Sequence, residues 1–314
     1  MMNRRTVIAG LGATTVLSSV TIAVGQTKAY IPLISKGFSH QFWQAVKLGS
    51  EQAAAEFGVD VTFEGPDNEG QVDRQIDMLA AALAKNPAAI GFAAVDSQAS
   101  IPMLREIDAA GVPIIAFDSG VASDLPVTTC TTDNLASAAL AADEMAKAIG
   151  GAGKVAIISH DQTSVTGIER VQGFEEQVAE KYPDIEIVSV QYGGGDHLIS
   201  TEITKSMLTA NPDLKGIFGA NEGSAIGILN GVTESGSEIV IVGYDSGAAQ
   251  KEAVRSGLMS GAITQNPVGI GYETVKAAVM TIKGEAVPKI IDTGFYYYTA
   301  ENMDEPQIAA VLYD

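Results

Sequence analysis

A chain of 314 residues with one cysteine, Cys130, can form no intramolecular disulfide. No histidine is recognisably placed beside that thiol, so it reads as a small buried strand residue rather than a nucleophile. The three histidines, His40, His160 and His197, are scattered without the paired spacing of a zinc site, and neither a metal nor a cofactor is expected. Basic residues are scarce: 19 Lys and Arg face 38 Asp and Glu, for a net charge of −19. Phosphate backbones and anionic lipid repel such a body, which argues against a nucleic-acid partner. After the N-terminal leader no stretch approaches the ~18 apolar residues of a membrane span, so direct membrane insertion is not expected. A Gly-x-Ser-x-Gly elbow is missing, which removes support for a hydrolase of that type. GGAGK at 150–154 follows a helical pattern and continues with Val155, not Ser or Thr; it is a turn, not a phosphate loop.

What is present begins with that leader. Arg4 and Arg5 precede an apolar stretch over 7–24, and Ala23, Val24 and Gly25 supply a small-x-small cleavage pattern. This reads as a signal peptide over 1–25 and a protein exported to the periplasm. The secretory route fits; the paired arginines also fit a twin-arginine signal.

Beyond the leader, strand and helix patterns alternate almost to the end. Candidate strands fall at 30–33, 59–63, 88–92, 113–117 and 127–131, then at 155–158, 185–191, 216–218 and 239–242. Between them apolar residues recur every three or four positions, as at Phe42, Val46, Gly49, Ala53 and Phe57. Alternation of this kind predicts α/β architecture with parallel sheets covered on both faces, and two such series imply two doubly wound lobes. Four apolar runs end in a carboxylate or carboxamide: VPIIAF before Asp118, GIFGA before Asn221, IVIVGY before Asp245, and GAIT before Gln265. Ligands of open α/β sheets sit beyond the carboxyl ends of the strands, so these four side chains suggest a pocket for a hydroxyl-rich ligand. Asp118 and Asp245 also admit a plainer reading as helix caps or turn acids.

In order, Phe42 and Trp43 opening a helix, Asp118, Thr132-Asp133-Asn134, RVQGF at 170–174, LTANPD at 208–213, Asn221-Glu222, VGYD at 242–245 and ITQ at 263–265 resemble the ribose-type periplasmic binding proteins. These are the substrate-binding subunits of sugar ABC importers. The resemblance implies the periplasmic binding protein-like I fold, two lobes joined by a three-segment hinge. One lobe is then 26–132 with 266–293, the other 133–265 with 294–314. It implies a monomer that is not an enzyme, captures a monosaccharide or small polyol, closes by hinge motion, and delivers its ligand to ABC permease subunits in the membrane.

By family position Asp118 and Asp245 accept from sugar hydroxyls, and Arg170 donates through its planar fork. Asn221 and Gln265 offer donor and acceptor together, which matches a hydroxyl, although Gln265 coincides with a crossing between the lobes and also reads as a hinge-stabilising amide. Phe42 and Trp43 point about 100° apart on a helix, so one can enter the core while the other stacks on a sugar ring; Trp43 is the better stacking residue. Tyr244 is a second stacking candidate from the opposite lobe. The sequence departs from the family at Ser119, where an arginine is usual, at Gly193-Gly194-Gly195, where an aromatic is common, and at His40-Gln41, in place of an asparagine. The expected pocket is therefore less basic, with Ser119 lining it and His40 either a cleft donor or exposed. Three rivals use parts of the same pattern. A sugar or autoinducer receptor of the same fold could feed chemotaxis or signalling. A repressor core would need an N-terminal helix-turn-helix where this chain has a leader. A glycoside-active enzyme could use Asp118 and Asp245 as its acid pair.

Overall fold

The computed structural model describes residues 28–313, so the leader lies outside the described residues. The chain order is β1 (Tyr30–Ile34), α1 (Gln41–Phe57), β2 (Asp60–Glu64), α2 (Val72–Leu83), β3 (Ile90–Phe92), α3 (Ile101–Ala109), β4 (Ile114–Phe117) and β5 (Thr128–Thr131). A second series follows: α4 (Asn134–Ile149), β6 (Gly153–Ser159), α5 (Val165–Lys181), β7 (Ile185–Tyr192), α6 (His197–Ala210), β8 (Leu214–Gly219), α7 (Glu222–Ser235), β9 (Val240–Tyr244), α8 (Ala248–Arg255) and β10 (Gly261–Gln265). The chain then runs through α9 (Pro267–Ile282), β11 (Ile290–Asp292), β12 (Phe295–Tyr298) and α10 (Pro306–Ala309).

The strands sort into two six-stranded sheets, ordered β11-β5-β4-β3-β1-β2 and β12-β10-β9-β8-β6-β7. All pairs in the first sheet are parallel, while β12 closes the second as an antiparallel edge against β10. The chain therefore passes between sheets three times: after β5, after β10 and between β11 and β12. β3, β4 and β10 are buried throughout because helices cover both faces, and their near-continuous apolar runs follow from that. Cys130 lies fully buried in β5, and its burial pushes the thiol pKa up to about 12. The C-terminal tail bridges the halves. Ile308 packs in the core around β8 and β9, but Tyr313 packs with Phe42 and the core of the first sheet, not with the second lobe alone.

In the first lobe α1 and α9 pack against each other, although they come from opposite ends of the chain. Their approach is close enough to require glycine. A Cβ on Gly271 would stand 1.9 Å from the Val46 carbonyl oxygen, and one on Gly49 would stand 1.9 Å from that of Val268. Backbone cannot yield as a flexible side chain does. Gly271→Ala is expected to lower stability by about 1–3 kcal/mol through overpacking, measured by urea unfolding against the parent protein.

Candidate functional site

The carboxyl ends of both sheets face each other across the gap between the lobes. There a small, partly open cavity is lined by Lys36, His40, Phe42, Trp43, Glu69 and Asp118 from one lobe. From the other come His160, Thr166, Arg170, Asn221 and Asp245, with Gln265 at the crossing between them.

Asp118 and Asp245 end equivalent strands, β4 and β9, and neither caps a helix. Both adopt left-handed backbone, with φ of 55° and 80°. Such strain in non-glycine residues collects at functional sites. It turns each carboxylate out of its strand and over the cleft. Asp118 is buried, and no hydrogen bond from another described residue reaches its carboxylate. Burial pushes its pKa up to about 6, against the opposing charges of Lys36 and Arg170. Asp245 is more heavily engaged. Its Oδ1 accepts from Gln265 Nε2 at 2.8 Å and its Oδ2 from the Glu222 amide at 2.9 Å. Burial raises it too, with Arg170 and Gln265 pulling the other way. A carboxylate has about four lone-pair sites, so two remain for a ligand.

Arg170 projects from α5 into the cavity while buried on every other side. Its Nε donates to Asn134 Oδ1 and its Nη1 to the Ala220 carbonyl, each at 2.9 Å, and the guanidinium lies 3.8 Å from the centre of the Tyr244 ring. Two of its five N–H groups are thus used by those bonds. Tyr244 does not line the cavity. It is fully buried, its hydroxyl 2.8 Å from that of Ser137, and it serves as the platform on which Arg170 rests. Ser119 is likewise absent from the cavity wall; it is fully buried with its hydroxyl unpartnered. Both misplacements have one physical reason. The left-handed turn at Asp118 and Asp245 swings only those carboxylates over the cleft, and the side chains before and after them stay among the buried residues.

The two carboxamides also differ from expectation. Asn221 caps α7: its Oδ1 accepts from the Ser224 amide at 2.9 Å, leaving Nδ2 for the cavity. Gln265 accepts from Thr132 Oγ1 at 2.9 Å while donating to Asp245, so both ends of its amide hold protein groups. It orients an acceptor instead of offering a free pair. Phe42 and Trp43 both line the cavity, edge to face with ring centres 4.9 Å apart, and both also belong to the core of the first lobe.

Sequence reasoning missed Lys36, Glu69, His160 and Thr166. Lys36 shares the cavity with Arg170, so the wall carries a second buried cation that the sequence reading did not count. Glu69 is the centre of this group: Oε1 accepts from Trp43 Nε1 at 2.8 Å and lies 3.3 Å from His40 Nδ1, and Oε2 lies 3.7 Å from Lys36 Nζ. Burial alone would raise its pKa. The charge of Lys36 and the hydrogen bond and charge of His40 hold it well below the usual carboxylate range. Lys36 reaches Thr166 Oγ1 at 3.1 Å and Ser164 Oγ at 3.4 Å across the cleft. His160 is held neutral by burial and by the Lys36 charge, its Nε2 3.0 Å from Thr166 Oγ1 and its Nδ1 unpartnered. The one available signal was the position of Lys36 just after β1, the same kind of place as Asp118.

The cavity thus offers charged acceptors, charged donors and an aromatic wall around one largely buried space, which is a binding surface for a polar ring or chain. Among the described residues no group of His, Cys, Asp and Glu is arranged to hold a metal, and no helix is long and apolar enough to cross a membrane. Trp43 is the only tryptophan. With its indole in the cavity wall, its emission is expected to change on ligand addition; a flat signal at saturation would place it elsewhere.

A profile described as a periplasmic binding protein domain matches residues 31–286. Among curated proteins, the ribose import binding protein of Escherichia coli K12 is 24% identical over 281 residues, covering 89% of this chain and 94% of the relative. The D-allose-binding periplasmic protein of the same organism is 27% identical, covering 82% and 86%. Among solved structures, an ABC transporter solute-binding protein of Agrobacterium vitis bound with α-D-tagatopyranose is 31% identical with a TM-score of 0.88, covering 91% of this chain and all of that one. A carbohydrate transporter solute-binding protein of Agrobacterium radiobacter in complex with D-arabinose is 33% identical with a TM-score of 0.87, covering 91% and 99%.

Proposed function

The chain belongs to the periplasmic binding protein family, and from that premise we propose that it is the substrate-binding component of a carbohydrate ABC importer, taking one monosaccharide or small polyol between its lobes. The observation that carries this reading is the interlobe cavity with Asp118, Arg170, Asn221 and Asp245 together on its wall. Ionised acceptors and donors make hydrogen bonds roughly twice as strong as neutral ones, and exclusion of water strengthens them further. Sugars present hydroxyls as both donor and acceptor around an apolar ring face, and the cavity has charged acceptors, charged donors and Trp43 to meet them. Relatives named for ribose and allose, and similar structures bound with tagatose and arabinose, support a sugar of pentose or hexose size. Those relatives are binding proteins, and this protein binds its ligand without transforming it.

The rest of the reading follows from the same premise. The leader over 1–25 directs export to the periplasm by the secretory or twin-arginine route, and the mature protein acts as a monomer. The ligand favours the closed form by the difference in its affinity for the two forms, and the closed, loaded protein presents itself to the permease subunits.

A thermal-shift screen of the purified protein against pentoses, hexoses and polyols tests the function. A ligand at 100 times its Kd stabilises by about 2.7 kcal/mol, so at least one compound should raise the melting temperature clearly. A panel without effect, by melting or by calorimetry, overturns the reading. With the ligand in hand, Asp118→Asn tolerates the left-handed backbone but removes the charge. Calorimetry should show affinity reduced about tenfold or more, from loss of a charged hydrogen bond of ~1.5–3 kcal/mol. Asp245→Asn should cost at least as much, since it also disturbs the bonds from Gln265 and Glu222.

A further inference from the structure

His40 stands at the N-cap of α1, and its two ring nitrogens face different lobes. Nδ1 lies 3.3 Å from the Glu69 carboxylate in its own lobe. Nε2 lies 2.9 Å from the carbonyl oxygen of Gly195 in the other. A carboxylate and a carbonyl have lone pairs and no proton to give, so each contact needs an N–H on the ring. A neutral imidazole has one N–H, and only the imidazolium has two. Gly195 itself can approach because its φ is +70° and it carries no side chain; a Cβ there would come within 3.3 Å of Glu69 Oε2 and of His40 Cε1.

The surroundings match that demand. The α1 N-terminus receives no side-chain cap from His40. Instead the Glu222 carboxylate crosses from the other lobe and accepts from the Gln41 and Phe42 amides, both at 3.1 Å. Gln41 returns the contact, its Oε1 accepting from the Ala248 amide at 2.8 Å. The charged groups around His40 are Glu69 and Lys36 from its own lobe and Glu222 and Asp245 from the other, with the positive end of α1 beneath it. We propose that closure of the lobes is linked to protonation of His40, whose imidazolium ties Glu69 of one lobe to the Gly195 carbonyl of the other, so that capturing the ligand takes up a proton. This rests on the reading of the cleft as one that opens and closes on a ligand.

The direction follows from what closure adds. In the closed form burial alone would lower the imidazole; the Glu69 hydrogen bond and charge, the Glu222 charge and the Gly195 carbonyl outweigh it and raise the pKa to about 9. Opening removes Glu222 and Gly195 and admits water, which returns the ring toward the ordinary histidine value of about 6.5. The group is raised in the closed form, so its contribution to closure is complete below the open-form pKa. It is lost as pH rises through about 9. Burial also raises the carboxyls of Asp118, Asp245 and Glu222, and the His40 variant below separates the imidazole from them.

The test uses the mature protein and its His40→Asn variant, which keeps an N–H donor for Gly195 but cannot titrate. Distance labels at Arg105→Cys and Glu180→Cys, exposed on separate lobes, report the closed population without ligand, and buried Cys130 stays out of the labelling. For a sugar found by the melting screen, calorimetry at pH 8 in buffers of different ionisation enthalpy counts the protons taken up on binding. The parent protein should bind a fraction of a proton per ligand, and its affinity should fall between pH 7 and pH 9.5 by up to about tenfold per unit. In His40→Asn the uptake should vanish and the profile flatten. Equal proton uptake and equal pH dependence in parent and variant overturn the proposal, as does a parent with neither proton uptake nor a pH-dependent closed population. A panel in which no sugar binds sinks the functional reading instead, and the labels then decide the proton linkage alone.

Discussion

Ionised side chains removed from water must be answered by other charges or hydrogen bonds, and that constraint organises the space between the lobes. Lys36, Glu69, Asp118, Arg170 and Asp245 are each less than one-tenth exposed. A lone buried ion costs several kcal/mol even after relaxation. Glu69 meets this by collecting Trp43, His40 and Lys36, and Arg170 meets it with Asn134, the Ala220 carbonyl and the Tyr244 ring. Asp118 is the exception, its carboxylate short of donors and its pKa raised in consequence. The unanswered capacity of the cavity is what a ligand supplies.

The same constraint explains why the lobes hold each other through backbone as well as side chains. Glu222 caps a helix of the opposite lobe, and the Ser97 amide donates to the Thr163 carbonyl across the gap at 2.9 Å. A helix N-terminus leaves four amides without partners. Two of those on α1 are satisfied only from the far side, so closing the cleft completes a secondary structure as well as a pocket. Gln265 adds a mechanical link, because one amide joins Thr132, at the first crossing between sheets, to Asp245 in the cavity.

Much of this was readable from the residues. The two series of strands and helices were plain from periodicity, and the acids and amides ending the apolar runs did converge. The resemblance to sugar-binding proteins agrees with the family match. Less was legible where the outcome depends on which way one side chain turns. Ser119 and Tyr244 follow or precede a cleft aspartate by one residue, and the left-handed turn there carries the aspartate into the cleft while they stay buried. Glu69 and Thr166 lie on a loop and at a helix start whose distance from the cleft is fixed by tertiary packing, not by local pattern. Nor could spacing reveal that the Gln265 amide is spent on protein partners, since that depends on a contact 133 residues away.

The pairing of α1 with α9 has a consequence for how the polypeptide becomes a protein. The first lobe lacks one of its covering helices and its edge strand β11 until residues 267–292 arrive, and they arrive after β6 to β10 of the other lobe. A chain emerging from its N-terminus must therefore hold an incomplete half open across the synthesis of a whole neighbouring one. Contacts of such long sequence separation delay compaction, so the first half stays without its last covering helix and edge strand until the chain is nearly finished.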